Sequence, residues 1–303
     1  MATTITGLSE AKIDDVIVGS IKAALPLFDA FSVQLKHEKG LVKGEKYLVP
    51  LVGDVTVGDK TPGTLVDPSG SLTGVEVEVS EFKGASFEVK EGEMSRELLG
   101  AWWEEQIKTT AHAVAKIVVN AALGLVKAAN YGNTSADKVV EAYADIDEDT
   151  LVEIRSAAKE KLKDIPGAFI CNSRVASRLI KMQTPVLVLG MVQGKNPYTD
   201  GEIPGQFLGY RAFEYIDMPD NSENLAAAVI GKPAIAVTAG APSQLIQSGD
   251  GDVRYRRIIE EPGSGLSMQY TEVVQGGGKI IVELGVLYGV KKAKNAVIRL
   301  VTA

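Results

Sequence analysis

The clearest hydrophobic pattern lies between residues 95 and 130. Leu99, Trp103, Ile107, Ala111, Val114, Val118, Ala122 and Leu125 recur every three or four positions. That period puts them on one stripe of an α-helix. Glu105, Lys108, His112, Lys116 and Asn120 fall on the opposite face. Ser95 suits the N-cap, Gly132 suits a stop, and Glu104 and Lys108 are spaced as a favourable i,i+4 pair. A helix over 95–130 would be about 50 Å long. Compact domains seldom need that length, so the pattern predicts a scaffold along which other parts are arranged.

Before this helix the period changes from 3.6 to 2. Val75, Val77 and Val79 alternate with Glu76, Glu78 and Ser80, and Phe87-Glu-Val-Lys90 continues the alternation. Tyr47-Leu-Val-Pro-Leu-Val52 is also strand-like, and residues 58–70 between the two halves are dense in Gly, Pro and Asp. The pattern predicts a long antiparallel hairpin with a flexible tip. A lone hairpin is marginal in water, so its apolar face needs a surface in this subunit or in a neighbour. Upstream, Ile13, Val16, Ile17 and Ile21 predict a short helix cut by Pro26, followed by an exposed, charged connection.

Downstream of the long helix, Thr150-Leu-Val-Glu153 matches a capping box opening a second helix, with Leu151, Ile154, Ala158 and Leu162 as its apolar stripe. Pro166-Gly167 ends it. Residues 168–171 read as a buried strand and 173–182 as a short helix. Strands then alternate with turns around 213–216, 226–230, 234–237, 270–274, 280–290 and 296–301. The mixture is α+β.

Composition narrows the function by exclusion. The chain has 303 residues, 32 Lys+Arg against 39 Asp+Glu, one Cys and two His. One Cys precludes an intrachain disulfide framework, and one Cys with two His argues against a Cys/His zinc site. Acidic balance argues against a protein whose affinity comes from neutralising phosphates. Gly231-Lys-Pro233 lacks the Ser/Thr of a phosphate loop, and Gly276-Gly-Gly-Lys279 precedes strand rather than helix. Asp145-Ile-Asp-Glu-Asp149 lacks the Gly and Glu of a calcium loop and reads as an acidic lead-in to a helix. Cys171 reads as a packed small hydrophobe, and Trp102-Trp103 as core or interface packing. No cofactor, metal or catalytic residue is assigned. With no secretory signal or membrane span in the sequence, a soluble product of a reducing cytoplasm is expected.

The order of parts resembles that of tailed-bacteriophage major capsid proteins, which have the Hong Kong 97 fold. Tyr47-Leu-Val-Pro50 looks like the strand entering that family's extended loop, and Glu93-Met-Ser-Arg-Glu-Leu-Leu-Gly100 like the start of its spine helix. Residues 165–179 resemble the strand and small helix of its axial domain. Asp200-Gly-Glu-Ile-Pro-Gly-Gln-Phe-Leu-Gly-Tyr210, then Met218-Pro219 and Ala234-Ile-Ala-Val237, resemble its run of small loop, Leu-Gly-aromatic and strand. The ordered set, covering nearly the whole chain, carries the resemblance.

The resemblance implies an N-arm at 1–46 and an extended loop at 47–93. It implies a peripheral domain at 94–144 and 281–303, with the spine helix at 95–130, and an axial domain at 145–280. It also implies a non-enzymatic coat protein that self-assembles as hexamers and pentamers into an icosahedral shell around packaged double-stranded DNA. That shell would be part of the virion, assembled in the host bacterial cytoplasm without a membrane. A portal is implied, and, with no large N-terminal extension, a separate scaffolding protein. Asp59, Lys60 and Thr61 at the loop tip, and Trp102, Glu105, Lys108 and His112 on the helix, are the expected inter-subunit contacts. In the covalently linked branch a loop Lys joins a neighbour's Asn. Lys60 and Asn295 stand in comparable places, but no third catalytic residue accompanies them, so no cross-link is assigned. An encapsulin-type compartment shell and an uncharacterised α+β enzyme are the competing readings.

Overall fold

The computed structural model describes residues 10–24, 32–34, 40–51, 73–90, 96–163, 165–182, 206–207, 209–243, 252–261, 266–275 and 279–302. In chain order the elements are α1 (Glu10–Ala24), β1 (Ser32–Gln34), β2 (Lys46–Leu51), β3 (Thr73–Glu78), β4 (Glu81–Lys90), α2 (Arg96–Leu123) and α3 (Ala128–Tyr131). There follow β5 (Lys138–Val140), α4 (Glu148–Leu162), β6 (Gly167–Cys171), α5 (Ser173–Met182), β7 (Gln206–Phe207), β8 (Tyr210–Glu214) and β9 (Leu225–Gly231). The chain ends with β10 (Ile235–Gly240), β11 (Asp252–Glu260), β12 (Ser267–Gln275), β13 (Lys279–Lys292) and β14 (Val297–Val301). The α+β class expected from the sequence is the class observed.

Two six-stranded sheets organise the chain. The first is built on β13. Its residues 279–288 pair with β4, 279–285 with β12, and 287–292 with β10. Leu287 and Tyr288 pair with β4 and β10 at once, so those two strands take opposite edges. By the same reasoning β12 lies opposite β4, end to end with β10 along one edge. β11 extends the sheet beyond β12, and β1 joins β10 in parallel. The second sheet runs β5-β14-β9-β6-β8-β7, with β9 buried along its whole length.

Both sheets draw strands from either side of residue 281. β10, β11 and β12 precede 281 yet share a sheet with β13, while β14 lies after it and joins the second sheet. Local pattern cannot reveal this, because strand partners are chosen by tertiary contact. β11, which the periodicity did not predict, is a further strand of the first sheet.

The long helix lies against the first sheet. Trp103, Ile107, Ala111, Val114, Val118 and Ala122 are all buried, as the stripe predicts. Trp103 meets the β4 residue Phe87 edge-on at 5.3 Å between centroids. α1 packs on α2 through Ile13, Ile17 and Ile21, and Lys12 reaches Glu104 at 2.6 Å. Glu104 is therefore paired with α1, and Lys108 sits beside Glu105 at 3.8 Å rather than in the expected i,i+4 pair.

The helix ends at Leu123, short of the expected Asn130, so it is about 42 Å long. The cause lies far along the chain. Asn221 donates from Nδ2 to the carbonyl of Leu123 at 2.9 Å and to that of Val126 at 2.7 Å. A side chain from another segment thus satisfies carbonyls that a continuing helix would use.

The second predicted helix starts earlier than its Thr150 signal. Asp147 is the N-cap: Thr150 N–H donates to its carboxylate at 2.9 Å, and the Asp147 N–H donates back to Thr150 Oγ1 at 3.4 Å. Buried Ile146 and Leu151 flank this cap as a hydrophobic staple. The acidic run 145–149 is the lead-in expected from sequence.

One buried charge ties the second sheet to the end of α2. Arg299 on β14 has 0% side-chain exposure and pairs with Glu223, while also donating to the Gly132 carbonyl. The other Glu223 oxygen accepts from the N–H of Ala128. Lys161 on α4 donates to Asp137 at 2.5 Å. Burial raises the Asp137 pKa, but hydrogen bonds from Lys161 and Thr134 outweigh it and hold the carboxyl at about 2.

Removing Glu223 leaves the Arg299 charge buried and unpaired. Glu223→Ala is expected to lower unfolding free energy in urea by about 3–5 kcal/mol. Asp217→Asn, which breaks the half-exposed Lys116–Asp217 pair, is expected to cost about 1 kcal/mol or less. Equal losses from the two substitutions would refute the distinction.

Candidate inter-subunit surface

The hairpin begins where β2 pairs with β3, from Lys46 opposite Glu78 to Leu51 opposite Thr73. Alternation gives it two unlike faces. Val49 and Val77 turn inward onto Ala236, and Tyr47 and Val79 join Leu41 and Leu287. The base of the hairpin therefore finds its apolar surface within its own subunit. β4 does not continue this hairpin, as the alternation suggested; it leaves to pair with β13, whose longer edge offers ten partners.

Close docking of the hairpin depends on Gly289. A Cβ there would overlap the backbone carbonyl of Glu78, so a side chain would push β3 away. The outward face carries Lys46, Leu48 (50% exposed), Pro50, Glu76 and Glu78. With Ser80, Val290 and Lys291, its charged members border an open cleft of about 390 Å³. Lys291 spans the seam, donating from Nζ to the Glu76 carbonyl at 3.1 Å.

The structure divides the sequence-predicted contacts. Asp59, Lys60 and Thr61 lie outside the described residues. Glu105 and Lys108 are exposed on the open half of α2. Trp102 is turned toward the core, tilted against Trp103 at 6.1 Å and edge-on to Phe87 at 6.0 Å. His112 stands where the polar face of α2 becomes covered. Burial lowers its pKa, Lys116 lowers it further, and Asp217 opposes them.

That cover is the segment from Tyr215 to Asn221; the sequence pattern placed Tyr215 and Ile216 in a strand at 213–216, but β8 ends at Glu214 and the chain turns over α2 instead. Tyr215 donates to Asn120 Oδ1 at 2.7 Å, Asp217 pairs with Lys116, and Asn221 caps the helix end. Ile216 is thereby held at the surface with 77% exposure. Its only sequence signal is one large apolar residue inside an acidic turn.

Reactive groups are scarce among the described residues. They contain no cluster of three His, Cys, Asp or Glu residues placed to hold a metal. Cys171 is buried, and burial, with Glu214 adding to it, pushes its thiol up to about 12. Among the described residues no helix is long and apolar enough to cross a membrane. The chemistry this surface offers is shape, apolar contact and charge.

No family model and no curated protein matches the chain. Solved structures do. The capsid structure of the cyanophage P-SCSP1u matches with a TM-score of 0.53 at 13% identity, over 91% of this chain and 88% of that one. The capsid of Ralstonia phage GP4 matches with a TM-score of 0.52 at 12% identity, over 91% and 90%. The acidic stable capsid structure of Helicobacter pylori bacteriophage KHP30 matches with 0.51 at 12% identity, over 91% of each chain. At such identities the likeness establishes a common fold, and it agrees with the resemblance read from the sequence.

Replacing Gly289 by Ala is expected to loosen the hairpin while sparing the rest of the fold. Amide exchange at 46–51 and 73–78 should accelerate, with β12 and β14 unchanged. Unchanged exchange throughout would mean that the close approach is dispensable.

Proposed function

We propose that this chain is a major capsid protein that self-assembles into the icosahedral shell enclosing the packaged double-stranded DNA of a tailed phage. The observation that carries this reading is a fold shared with phage capsid chains over about nine-tenths of both partners. Two features of the subunit support it. The described base of the hairpin, β2 and β3, leaves its outward face exposed. Cys171 is buried, and the described residues hold no group of three His, Cys, Asp or Glu side chains placed to bind a metal.

On this reading the work of the chain is structural. The hairpin, extended through residues 52–72, lies across a neighbouring subunit, with Asp59, Lys60 and Thr61 at its tip. Glu105, Lys108 and the edge of Trp102 form part of the rail on which a neighbour's hairpin rests, and His112 borders it. Subunits group as hexamers and pentamers, a portal occupies one vertex, and a separate scaffolding protein guides closure in the host cytoplasm. The net charge of −7 suits a wall that DNA slides past rather than one that binds it. Many modest contacts, multiplied by symmetry, hold such a shell together.

Purified protein, alone or co-expressed with the scaffold of its own genome, is expected to form closed shells or capsomers in negative-stain micrographs. A monodisperse monomer under every condition would refute the proposal.

Deleting residues 58–70 is expected to leave the subunit's circular dichroism and unfolding midpoint unchanged and to abolish closed shells. Normal shells without the tip would refute the role given to the hairpin. Shells that contain a cargo enzyme instead of DNA would identify a cellular compartment.

A further inference from the structure

The outward side of α4 carries an arrangement that its own helix does not favour. Along one flank Glu148, Val152, Arg155 and Lys159 follow at spacings of three or four, and Lys163 extends the line at the C-cap. Arg155, Lys159 and Lys163 thus stack cation upon cation at i,i+4. The adjacent row is acidic: Asp149 and Glu153 stack at i,i+4, with Glu160 farther along. Like charges so placed destabilise a helix by about 0.2–0.5 kcal/mol per pair. The macrodipole accounts for Glu148 and Asp149 in the first turn and Lys159 in the last, but not for Glu153 beneath Asp149, Arg155 beneath Lys159, or Glu160 near the C-terminal end.

Among the described residues, none of the seven charged groups in the two rows makes an ion pair. They contrast with Lys161 on the same helix, which is neutralised by Asp137. Two further observations mark the basic row as more than a solvated face. Val152 stands in line with it at 60% exposure, an apolar group without cover. Lys159 lies over the ring of Tyr210 at 5.6 Å, and the buried Tyr210 hydroxyl has no hydrogen-bond partner among the described residues.

We infer that this face of α4 is a docking surface for a second copy of the same chain, the basic row of one copy, with Val152, meeting the acidic row Asp149, Glu153 and Glu160 of another. Both rows occur on every copy, so each subunit brings both halves of the contact. The charge pattern selects the occupant: the partner must present carboxylates in a row beside cations, and this chain does so itself. Apolar contact at Val152 supplies area, and the charges set register and exclude wrong partners. The inference rests on the proposed shell function and assigns to it one specific contact.

The test uses two full-length variants. Arg155→Glu with Lys159→Glu and Lys163→Glu turns the basic row acidic; Asp149→Lys with Glu153→Lys and Glu160→Lys turns the acidic row basic. Each alone is expected to raise the concentration needed for half-assembly by about tenfold or more, read by sedimentation velocity. Circular dichroism and the urea midpoint should stay close to wild type. An equimolar mixture should regain association, since an acidic row then faces a basic one at each mixed contact. It is read as mixed oligomers rather than closed shells, because a pentameric ring cannot alternate two kinds of subunit. Recovery on mixing also shows that both variants are folded. Wild-type assembly by each variant alone, or failure of the mixture to recover, overturns the interface and leaves the shell function standing. A wild-type chain that never self-associates overturns both.

Discussion

A β-strand has two edges, and in this protein the fourteen residues of β13 must serve three partners with them. β4 takes one edge, and β10 and β12 divide the other end to end. The face between them carries Val282, Leu284 and Val286, all buried beneath the helical layer of α1 and α2. A register slip of one residue would turn these toward the opposite face and bring charged Glu283 into the core. The placement of α2, the base of the hairpin and the link to β14 all follow from holding this one strand in register.

The second sheet is tied to the end of the helical layer through groups that are short of water. Arg299 cannot reach solvent, so its charge fixes Glu223, and Glu223 in turn fixes the N-terminus of α3. The same stretch of chain supplies Asn221, which closes α2. Helix length, sheet position and the path from Tyr215 to Asn221 are therefore set together. This coupling holds the end of α2, the start of α3 and β14 in one arrangement.

The parts legible in the sequence were those governed by local period. The α2 stripe, the pairing of β2 with β3 and the helix at 173–182 all follow from spacing. The parts that escaped were decided by remote groups. Asn221 ends α2 from 98 positions away, counted to Leu123. β4 abandons the hairpin because β13 offers it a longer ladder. Asp147 and Thr150 both begin plausible caps, and the buried pair Ile146 and Leu151 favours the earlier one. The candidate surface was legible only in part: Glu105 and Lys108 are exposed as their helix face demands, whereas Trp102 is drawn inward by Phe87, a partner no spacing reveals.

The way the hairpin is seated has a mechanical meaning. β2 and β3 are antiparallel, and the chain beyond Leu51 and before Thr73 leaves them at the same end. A pull on that end draws both strands in one direction, so it does not unzip the ladder between them. The load passes instead to the seam where Val49, Val77 and the Glu78 backbone lie against Ala236 and Gly289. There it acts as sliding rather than peeling, and many contacts must yield together before any one is lost. Tension arriving along the hairpin is thus carried into β13, the strand that joins β4, β10 and β12.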